Sequence, residues 1–272
     1  MWYAILVYTF GGKKLMRFVV KLGTSTLAHA TGRLNIQRVE MLCKVLSDLK
    51  NAGHEIIMVS SGAIGMGVGK LLLKERPTDI PTKQAAAAVG QCELMYTYDR
   101  LFSTYNHTVA QILLTNEDIE IEKRRHNFEN TLMRLLELGA LPIINENDTI
   151  ATEEIVIGDN DTLAAVVAKS ARADLLILLT DIDGLCTADP HKDPNAKLLH
   201  VVEKITPEIE AMVGGAGSAL GTGGMLTKLH AAQIATRAGI DMVITNGDRP
   251  EDLYGIVNGQ SIGTRFLAGE QS

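Results

Sequence analysis

The residues most able to do chemistry gather where apolar segments give way to polar turns. Asn145-Glu146-Asn147-Asp148-Thr149-Ile150 follows the strand-like Leu141-Pro142-Ile143-Ile144. Gly158-Asp159-Asn160-Asp161 precedes Thr162-Leu163-Ala164-Ala165-Val166-Val167-Ala168, which reads as a buried helix, and a short acidic segment, 151–157, lies between the two clusters. Open α/β sheets place ligands just past the carboxyl ends of their strands. A helix N-terminus adds unpaired N–H groups and a positive dipole end. Capping and turn chemistry would account for one Asn or Asp. Two clusters of amides and carboxylates, each beside an apolar segment, point instead to a polar ligand.

Two lysines stand at glycine-rich turns. Lys21 ends an apolar strand, 17–22, directly before Gly23-Thr24-Ser25-Thr26. A glycine there permits close backbone approach, and the N–H groups that follow can line an anion, although the same residues also make an ordinary strand-to-loop turn. Lys228 lies in Met225-Leu226-Thr227-Lys228-Leu229, fed by residues 214–224 with six glycines: Gly214, Gly215, Gly217, Gly221, Gly223 and Gly224. A glycine-rich loop leading into a helix with an early lysine can wrap a polyphosphate. Ser60-Ser61-Gly62-Ala63-Ile64-Gly65-Met66-Gly67 closes the strand at 55–59 and reads equally as an oxyanion cradle or a tight βα turn. It is not a Walker loop, because no Gly-Lys-Ser/Thr occurs. Thr180 and Asp181, at the end of the apolar strand 174–179, can contact a ligand or serve the turn alone; Asp183-Gly184 beyond them is a hairpin signal.

Glycines and lysines suit phosphoryl transfer, which needs positioning and positive charge on the migrating group more than covalent help. Lys21 and Lys228 can supply that charge from the two ends of an in-line path, with Asp161 orienting both ammonium groups. No Cys or His cluster suggests a metal site, and no Gly-x-Ser-x-Gly elbow suggests a hydrolase.

The elements that must position these residues follow from periodicity. Ile36, Val39, Cys43 and Leu46 repeat at helical spacing in a helix over 35–51 that Asn35 can cap. Further helices are expected over 82–105, with the alanine run 85–88 packing on the sheet or on a partner, over 124–138 ending at Gly139, up to residue 238 after the glycine-rich loop, and near 250–257. Strands are expected at 55–59, 109–114, 141–144, 174–179 and 241–245, with a final piece at 263–266. Their continuous apolar runs suit a parallel sheet buried on both faces, so the fold class is α/β.

A chain of 272 residues, 46% hydrophobic, with mean hydropathy +0.10, has ample length for a core. A net charge of −6 without a long basic run argues against nucleic acid as a partner. Cys43, Cys92 and Cys186 are odd in number and lack zinc spacing, which fits reduced thiols in a cytoplasm. No apolar run is long enough to span a membrane. No Pro/Ser-rich linker divides the chain, so one domain over 16–272 is expected. Residues 1–15 read as an N-terminal extension, since Met16 makes a natural start to the first strand and the apolar stretch 2–10 has no basic region before it and no small-residue cleavage site.

The sequence resembles the glutamate 5-kinases of the amino acid kinase superfamily from about Phe18 to Phe266. The motifs that carry the resemblance are Val-Val-Lys-Leu-Gly-Thr-Ser (19–25), Ser-Ser-Gly-Ala-Ile (60–64), Ala-Val-Gly-Gln (88–91), Pro-Ile-Ile-Asn-Glu-Asn-Asp (142–148), Gly-Asp-Asn-Asp (158–161), Leu-Leu-Thr-Asp (178–181) and Gly-Thr-Gly-Gly-Met-x-Thr-Lys (221–228). Each is modest evidence, but all of them in this order are specific. The resemblance implies a three-layer αβα sandwich with a mainly parallel central sheet, the amino acid kinase fold. It implies transfer of the γ-phosphoryl of ATP, with Mg²⁺, to the side-chain carboxylate of L-glutamate, the first step of proline synthesis. Ser61, Asp148 and Asn160 would hold glutamate: a hydroxyl and an amide can donate to its carboxylates, and Asp148 can accept from its ammonium. Thr180 and Asp181 would lie at the nucleotide, with Thr222, Gly223, Gly224, Met225, Leu226, Thr227 and Lys228 over its phosphates. Lys21 and Lys228 would stabilise the transition state, held by Asp161, with no metal-ligating side chain.

The resemblance further implies proline as an inhibitor, glutamyl phosphate reductase as a pathway partner, and a dimer or tetramer. The RNA-binding-like PUA domain that often follows in the family is not expected in this chain, and Cys186 stands where a tyrosine is common. The nearest rivals are sister kinases for N-acetylglutamate, aspartate, carbamate or a nucleoside monophosphate. Lys21-Leu22-Gly23-Thr24-Ser25 has one glycine fewer than the usual Lys-Phe-Gly-Gly-Thr-Ser opening of aspartate kinases, and the Ser-Gly-Glu usual in nucleotide kinases is absent. A non-catalytic sensor would be signalled by loss of either lysine or Asp161, and all three are present.

Overall fold

Alternation of side chains across buried strands decides which helices the sheet collects. The computed structural model describes residues 9–10, 13–29, 33–150, 160–188, 193, 195–213 and 224–269. β1 (Thr9–Phe10) and β2 (Lys13–Lys14) form a short antiparallel ribbon. β3 (Arg17–Leu22) runs through α1 (Thr24–Leu27) to α2 (Ile36–Asn51). β4 (Glu55–Ser60) leads to α3 (Ala63–Lys70) and α4 (Ile80–Ser103). β5 (Val109–Leu114) precedes α5 (Asn116–Glu120) and α6 (Glu122–Glu137), and β6 (Leu141–Glu146) precedes α7 (Asn160–Ser170). β7 (Leu175–Thr180), β8 (Val201–Val202), α8 (Pro207–Val213) and α9 (Met225–Arg237) follow. β9 (Asp241–Asn246), α10 (Asp252–Val257) and β10 (Thr264–Phe266) come last.

Eight strands form one sheet in the order β5-β6-β4-β3-β7-β9-β10-β8. Every pairing is parallel except β9 with β10. β3 therefore sits centrally, with later strands added on both sides of it, and the carboxyl ends of β3, β4, β6 and β7 share one edge. Such a switch point is where ligands bind in open parallel sheets.

Period-two alternation sorts the strand residues into two cores. Phe18, Val20 and Leu22 of β3, with Met58 of β4 and Ile143 of β6, pack with Leu42 of α2, Leu94 and Tyr98 of α4, and Leu253 of α10. Val19, Ile57, Val59, Ile144 and Leu178 pack with Leu132 of α6, Leu163 and Val167 of α7, and Leu229 of α9. Helices thus cover both faces, giving the expected three layers. The alternation also aims polar residues at the strand ends: Lys21 shares the face of Val19, towards α7 and α9, whereas Ser60 and Asn145 share the face of Met58 and Ile143, towards α4.

The helix boundaries follow local chemistry. Asn35 caps α2, its side chain accepting from the Arg38 N–H at 3.2 Å. α4 starts two residues before the expected position because Asp79 accepts from the Thr82 N–H at 2.9 Å and Pro81 suits a first turn. α5, which the periodicity did not suggest, is held by a capping box between Thr115 and Asp118. Asp183-Gly184 does not make a hairpin between strands of the main sheet; Cys186 beyond it forms a single antiparallel bridge to Leu198. No described helix is long and apolar enough to cross a membrane.

The alanine run of α4 packs against α3, with Ala86 and Ala87 buried. The two helices touch backbone to backbone. A Cβ on Gly67 would lie 1.8 Å from the Ala86 carbonyl oxygen, and one on Gly90 would lie 1.7 Å from that of Ala63. Gly69, by contrast, has nothing within 4 Å of an added Cβ. Two substitutions of the same kind should therefore act in opposite directions. Gly90→Ala forces the helices apart and is expected to lower the unfolding free energy by about 2–3 kcal/mol. Gly69→Ala gains helix propensity without a clash and is expected to add about 0.5–1 kcal/mol. Urea denaturation of both variants checks the pair.

Candidate functional site

The centre of the site is an ion triad shared by three elements. The Lys21 Nζ of β3 lies 2.6 Å from Oδ1 of Asp161, in the first turn of α7, and the Lys228 Nζ of α9 lies 3.0 Å from its Oδ2. All three are buried, at 6%, 0% and 4% exposure for Lys21, Asp161 and Lys228. Burial by itself would raise the Asp161 carboxyl; the two lysines outweigh it and hold the group below its ordinary value. The N-terminal end of α7 also favours a carboxylate at this position. The Thr227 hydroxyl stands 3.1 Å from Asp161 Oδ2 and 2.7 Å from the Gly224 carbonyl oxygen, tying the start of α9 to the triad. A Cβ on Gly23 would rest at ordinary contact distance, 3.8 Å, from Lys21 Nζ, so the glycine lies beside that ammonium.

Asn160 precedes Asp161 and belongs to a second cluster. Its Nδ2 donates to Ser61 Oγ at 2.6 Å and to Asn145 Oδ1 at 3.2 Å. Asn145 Oδ1 also accepts from the Glu146 N–H at 2.9 Å, and Asn145 Nδ2 donates to Gln91 Oε1 at 3.0 Å. Ser61 sits in the turn between β4 and α3, where Gly62 has φ 103°, a conformation that favours glycine. Ser60 Oγ lies 2.8 Å from the fully buried Tyr98 hydroxyl and donates to the Ser61 carbonyl at 3.2 Å.

This network corrects one expectation. Asn160 uses both amide hydrogens within the protein, and its Oδ1 is buried without a partner among the described residues. It therefore offers a ligand an acceptor, not a donor. Ser61 Oγ accepts from Asn160 and keeps its own proton to give. Asp148 stands half-buried on the turn after β6, its carboxyl raised by burial, and shares no hydrogen bond with Ser61 or Asn160 among the described residues.

The structure thus joins Lys21, Asp161 and Lys228, joins Ser61 to Asn160, and links the two groups through consecutive residues of α7. Thr180 and Asp181 lie at the end of β7, with Thr180 Oγ1 donating to Asp181 Oδ1 at 3.0 Å and the Thr180 carbonyl accepting from the Gly247 N–H at 2.7 Å. Gly224 is the N-cap of α9 and offers no side-chain cap, while Met225 and Leu226 occupy its first turn. Thr222, Gly223, Gly158 and Asp159 lie outside the described residues. Sequence reasoning gave no role to Gln91, Asn145, Ser60 or Tyr98. Gln91 did end the Ala-Val-Gly-Gln motif and Asn145 did open the central polar stretch, which were the available signals. No group of three or more His, Cys, Asp or Glu side chains suited to a metal occurs among the described residues.

Residues 16–246 match the family model of the amino acid kinase family. The chain is similar to a glutamate 5-kinase of Clostridium perfringens, 52% identical over 260 residues that cover 94% of this chain and 97% of that one. It is also similar to a glutamate 5-kinase of Listeria monocytogenes, 50% identical with 95% of each chain covered. In three dimensions it is similar to a carbamate kinase from Giardia lamblia bound to AMP-PNP, with TM-score 0.67 and 20% identity, covering 94% of this chain and 99% of that one. At that identity the likeness bears on the fold alone.

The triad makes a stability prediction. Asp161→Asn leaves two buried ammonium groups without their carboxylate, and a loss of about 3–5 kcal/mol is expected. Lys228→Met leaves Asp161 paired with Lys21 and should cost less. Because the folded-state pKa of Asp161 is depressed, its contribution is present above the ordinary carboxylate pKa and is lost as pH falls through the folded value. Urea denaturation at neutral and acid pH should show the gap between wild type and Asp161→Asn narrowing as the pH drops.

Proposed function

The chain belongs to the glutamate 5-kinases of the amino acid kinase family, and from that membership we propose how its residues divide the work. The reaction moves the γ-phosphoryl group of ATP to the side-chain carboxylate of L-glutamate, giving γ-glutamyl phosphate for proline biosynthesis. The observation that carries the reading is the buried Lys21–Asp161–Lys228 triad, set one residue along α7 from the Asn160–Ser61 pair.

Lys21 and Lys228 place two cations beside one carboxylate in a desolvated place. The migrating phosphoryl group carries negative charge on its equatorial oxygens, so a fixed positive charge stabilises it with no reorganisation at the moment of transfer. Lys21 and Lys228 supply that charge, and Asp161 holds both in place. The Ser61 hydroxyl donates to a substrate carboxylate. Asp148 and the Asn160 Oδ1 together receive the α-ammonium, which a substrate acylated at that nitrogen lacks. Thr180, Asp181 and the residues from Thr222 to Lys228 hold the nucleotide.

Mg²⁺ would be held together with the nucleotide. The lysines occupy both oxygens of Asp161, whereas Asp181, exposed at the end of β7, would be open to a cation. A hard cation that takes phosphate oxygens and keeps its waters needs few protein ligands, so these residues fit it. When bound it neutralises phosphate charge, while the lysines serve the migrating group. Proline, which carries an α-amino-acid group without the side-chain carboxylate, competes for the Ser61, Asp148 and Asn160 contacts. The acyl phosphate is labile, which favours a glutamyl phosphate reductase close at hand in the cytoplasm. The working form is a dimer or tetramer, and residues 16–272 form one kinase domain.

Purified chain with Mg-ATP, L-glutamate and hydroxylamine should yield γ-glutamyl hydroxamate, with little from N-acetylglutamate or aspartate. Product from another acid alone would overturn the substrate. Lys228→Ala should lower kcat by about 10²–10³ with little change in KM; unaltered turnover would remove Lys228 from the mechanism. The raised carboxyl of Asp148 sets a pH dependence. Its ionised form receives the ammonium, so the KM for glutamate should climb as pH falls through that raised value, sooner than an exposed carboxylate would cause. The ionised, partly buried form also costs stability at neutral pH, a cost that vanishes on protonation. Asp148→Asn should therefore bind glutamate weakly at every pH while melting no lower than wild type. A melting midpoint well below wild type would contradict this account.

A further inference from the structure

We infer that Gln91 is a positioning residue for the acceptor substrate: acting from α4 through Asn145, it secures the sense of the Asn160 amide that the Glu146 N–H sets, and so which amide atom is left for the substrate. The inference rests on the glutamate-kinase reading and adds a residue that reading does not use.

One atom of the network has no choice of role. The backbone N–H of Glu146 can only donate, so the Asn145 atom 2.9 Å from it must be the side-chain oxygen. Asn145 then turns its Nδ2 towards Gln91, and Gln91 must answer with its own oxygen, 3.0 Å away. On the other side, Asn160 meets the Asn145 oxygen and must present Nδ2, which leaves its Oδ1 as the spare, buried atom. One main-chain group thus sets the sense of three side-chain amides. Asn145 and Gln91 are buried, at 2% and 7% exposure. Without an acceptor at Gln91 the Asn145 Nδ2 is a buried donor with no partner, and such a group is costly enough to drive rearrangement. Turning Asn145 to find a partner takes its oxygen away from Asn160 and frees that amide to rotate.

Gln91 is well placed to anchor the relay. It follows Gly90, where α4 touches the backbone of Ala63 in α3, so its own main chain cannot shift independently of the turn that carries Ser61. Two helical turns further along the same face, Tyr98 bonds Ser60, which in turn donates to the Ser61 carbonyl. α4 therefore holds the pocket at two points, the Asn160 amide through Gln91 and the Ser61 backbone through Tyr98. A misoriented Asn160 presents a donor to the substrate ammonium where an acceptor is required. The loss falls on glutamate and leaves the nucleotide residues and the lysine triad in place.

The test is steady-state kinetics of the full chain with both substrates varied, together with thermal melts. Gln91→Leu should raise the KM for glutamate about tenfold, with kcat and the KM for ATP within about twofold of wild type. Gln91→Glu, which keeps an acceptor oxygen at the same reach, should restore the KM for glutamate to within about threefold of wild type. Should Gln91→Leu fail to fold, Gln91→Asn, polar but one carbon shorter, is expected to shift the glutamate KM in the same direction. A purely structural role would lower the melting midpoint and the active fraction without separating the two KM values. The inference is overturned by a glutamate KM that stays at the wild-type value, by both KM values rising together, or by Gln91→Glu being as impaired as Gln91→Leu. A wild-type chain with no glutamate-dependent turnover overturns the reading beneath it, and the wild-type arm separates that outcome from the others.

Discussion

A carboxylate with no exposure, held between two buried ammonium groups, is the interaction on which the site depends. Each member would be unfavourable alone in that place, since an unpaired charge taken out of water loses several kcal/mol of solvation. Together they are tolerable, and they draw the middle strand and two helices of one layer to a common point. Fold and chemistry meet in the same three side chains. Apolar side chains of similar volume could hold these layers as firmly.

The parity of the strands explains how a single sheet edge serves two different tasks. Lys21 and Asn145 end neighbouring regions of one parallel sheet, yet they emerge on opposite faces. The face of α7 and α9 collects charge. The face of α4 collects amides and hydroxyls. The two meet only at the rim, where Asn160 reaches across from α7 to Ser61 and Asn145. On the proposed reading, electrostatic stabilisation and stereochemical recognition would be built from separate layers and brought together by the start of one helix.

Much of this was legible in the sequence, and for identifiable reasons. Buried parallel strands read as continuous apolar runs, so β3, β4, β6, β7 and β9 stood out, and glycines and hydroxyls after them marked the ligand edge. Lys21 and Lys228 stood out because each stands at a glycine-rich turn, and Asp161 because it closes a polar cluster at the start of an apolar helix. The amide relay was not legible. Its members are separated by 54 residues for Gln91 and Asn145 and by 99 for Ser61 and Asn160. The direction of each amide follows from one backbone N–H that no pattern announces. That is why Asn160 was given a donor's role when its free atom is an acceptor. The early start of α4 and the existence of α5 depended on caps, Asp79 and the Thr115–Asp118 box, whose side chains also occur in plain turns.

Asn160 and Asp161 are neighbours in one helical turn that look in different directions, one into the amide network and one onto the lysines. Successive side chains on a helix are separated by about 100°. The angle between the acceptor-holding group and the charge-holding group is therefore a property of helical geometry and not of either side chain. On the proposed reading, nucleotide chemistry and amino-acid recognition would share one mechanical axis. A roll of α7 that improved one would detune the other, so substitutions along this helix should be epistatic across the two halves of the reaction.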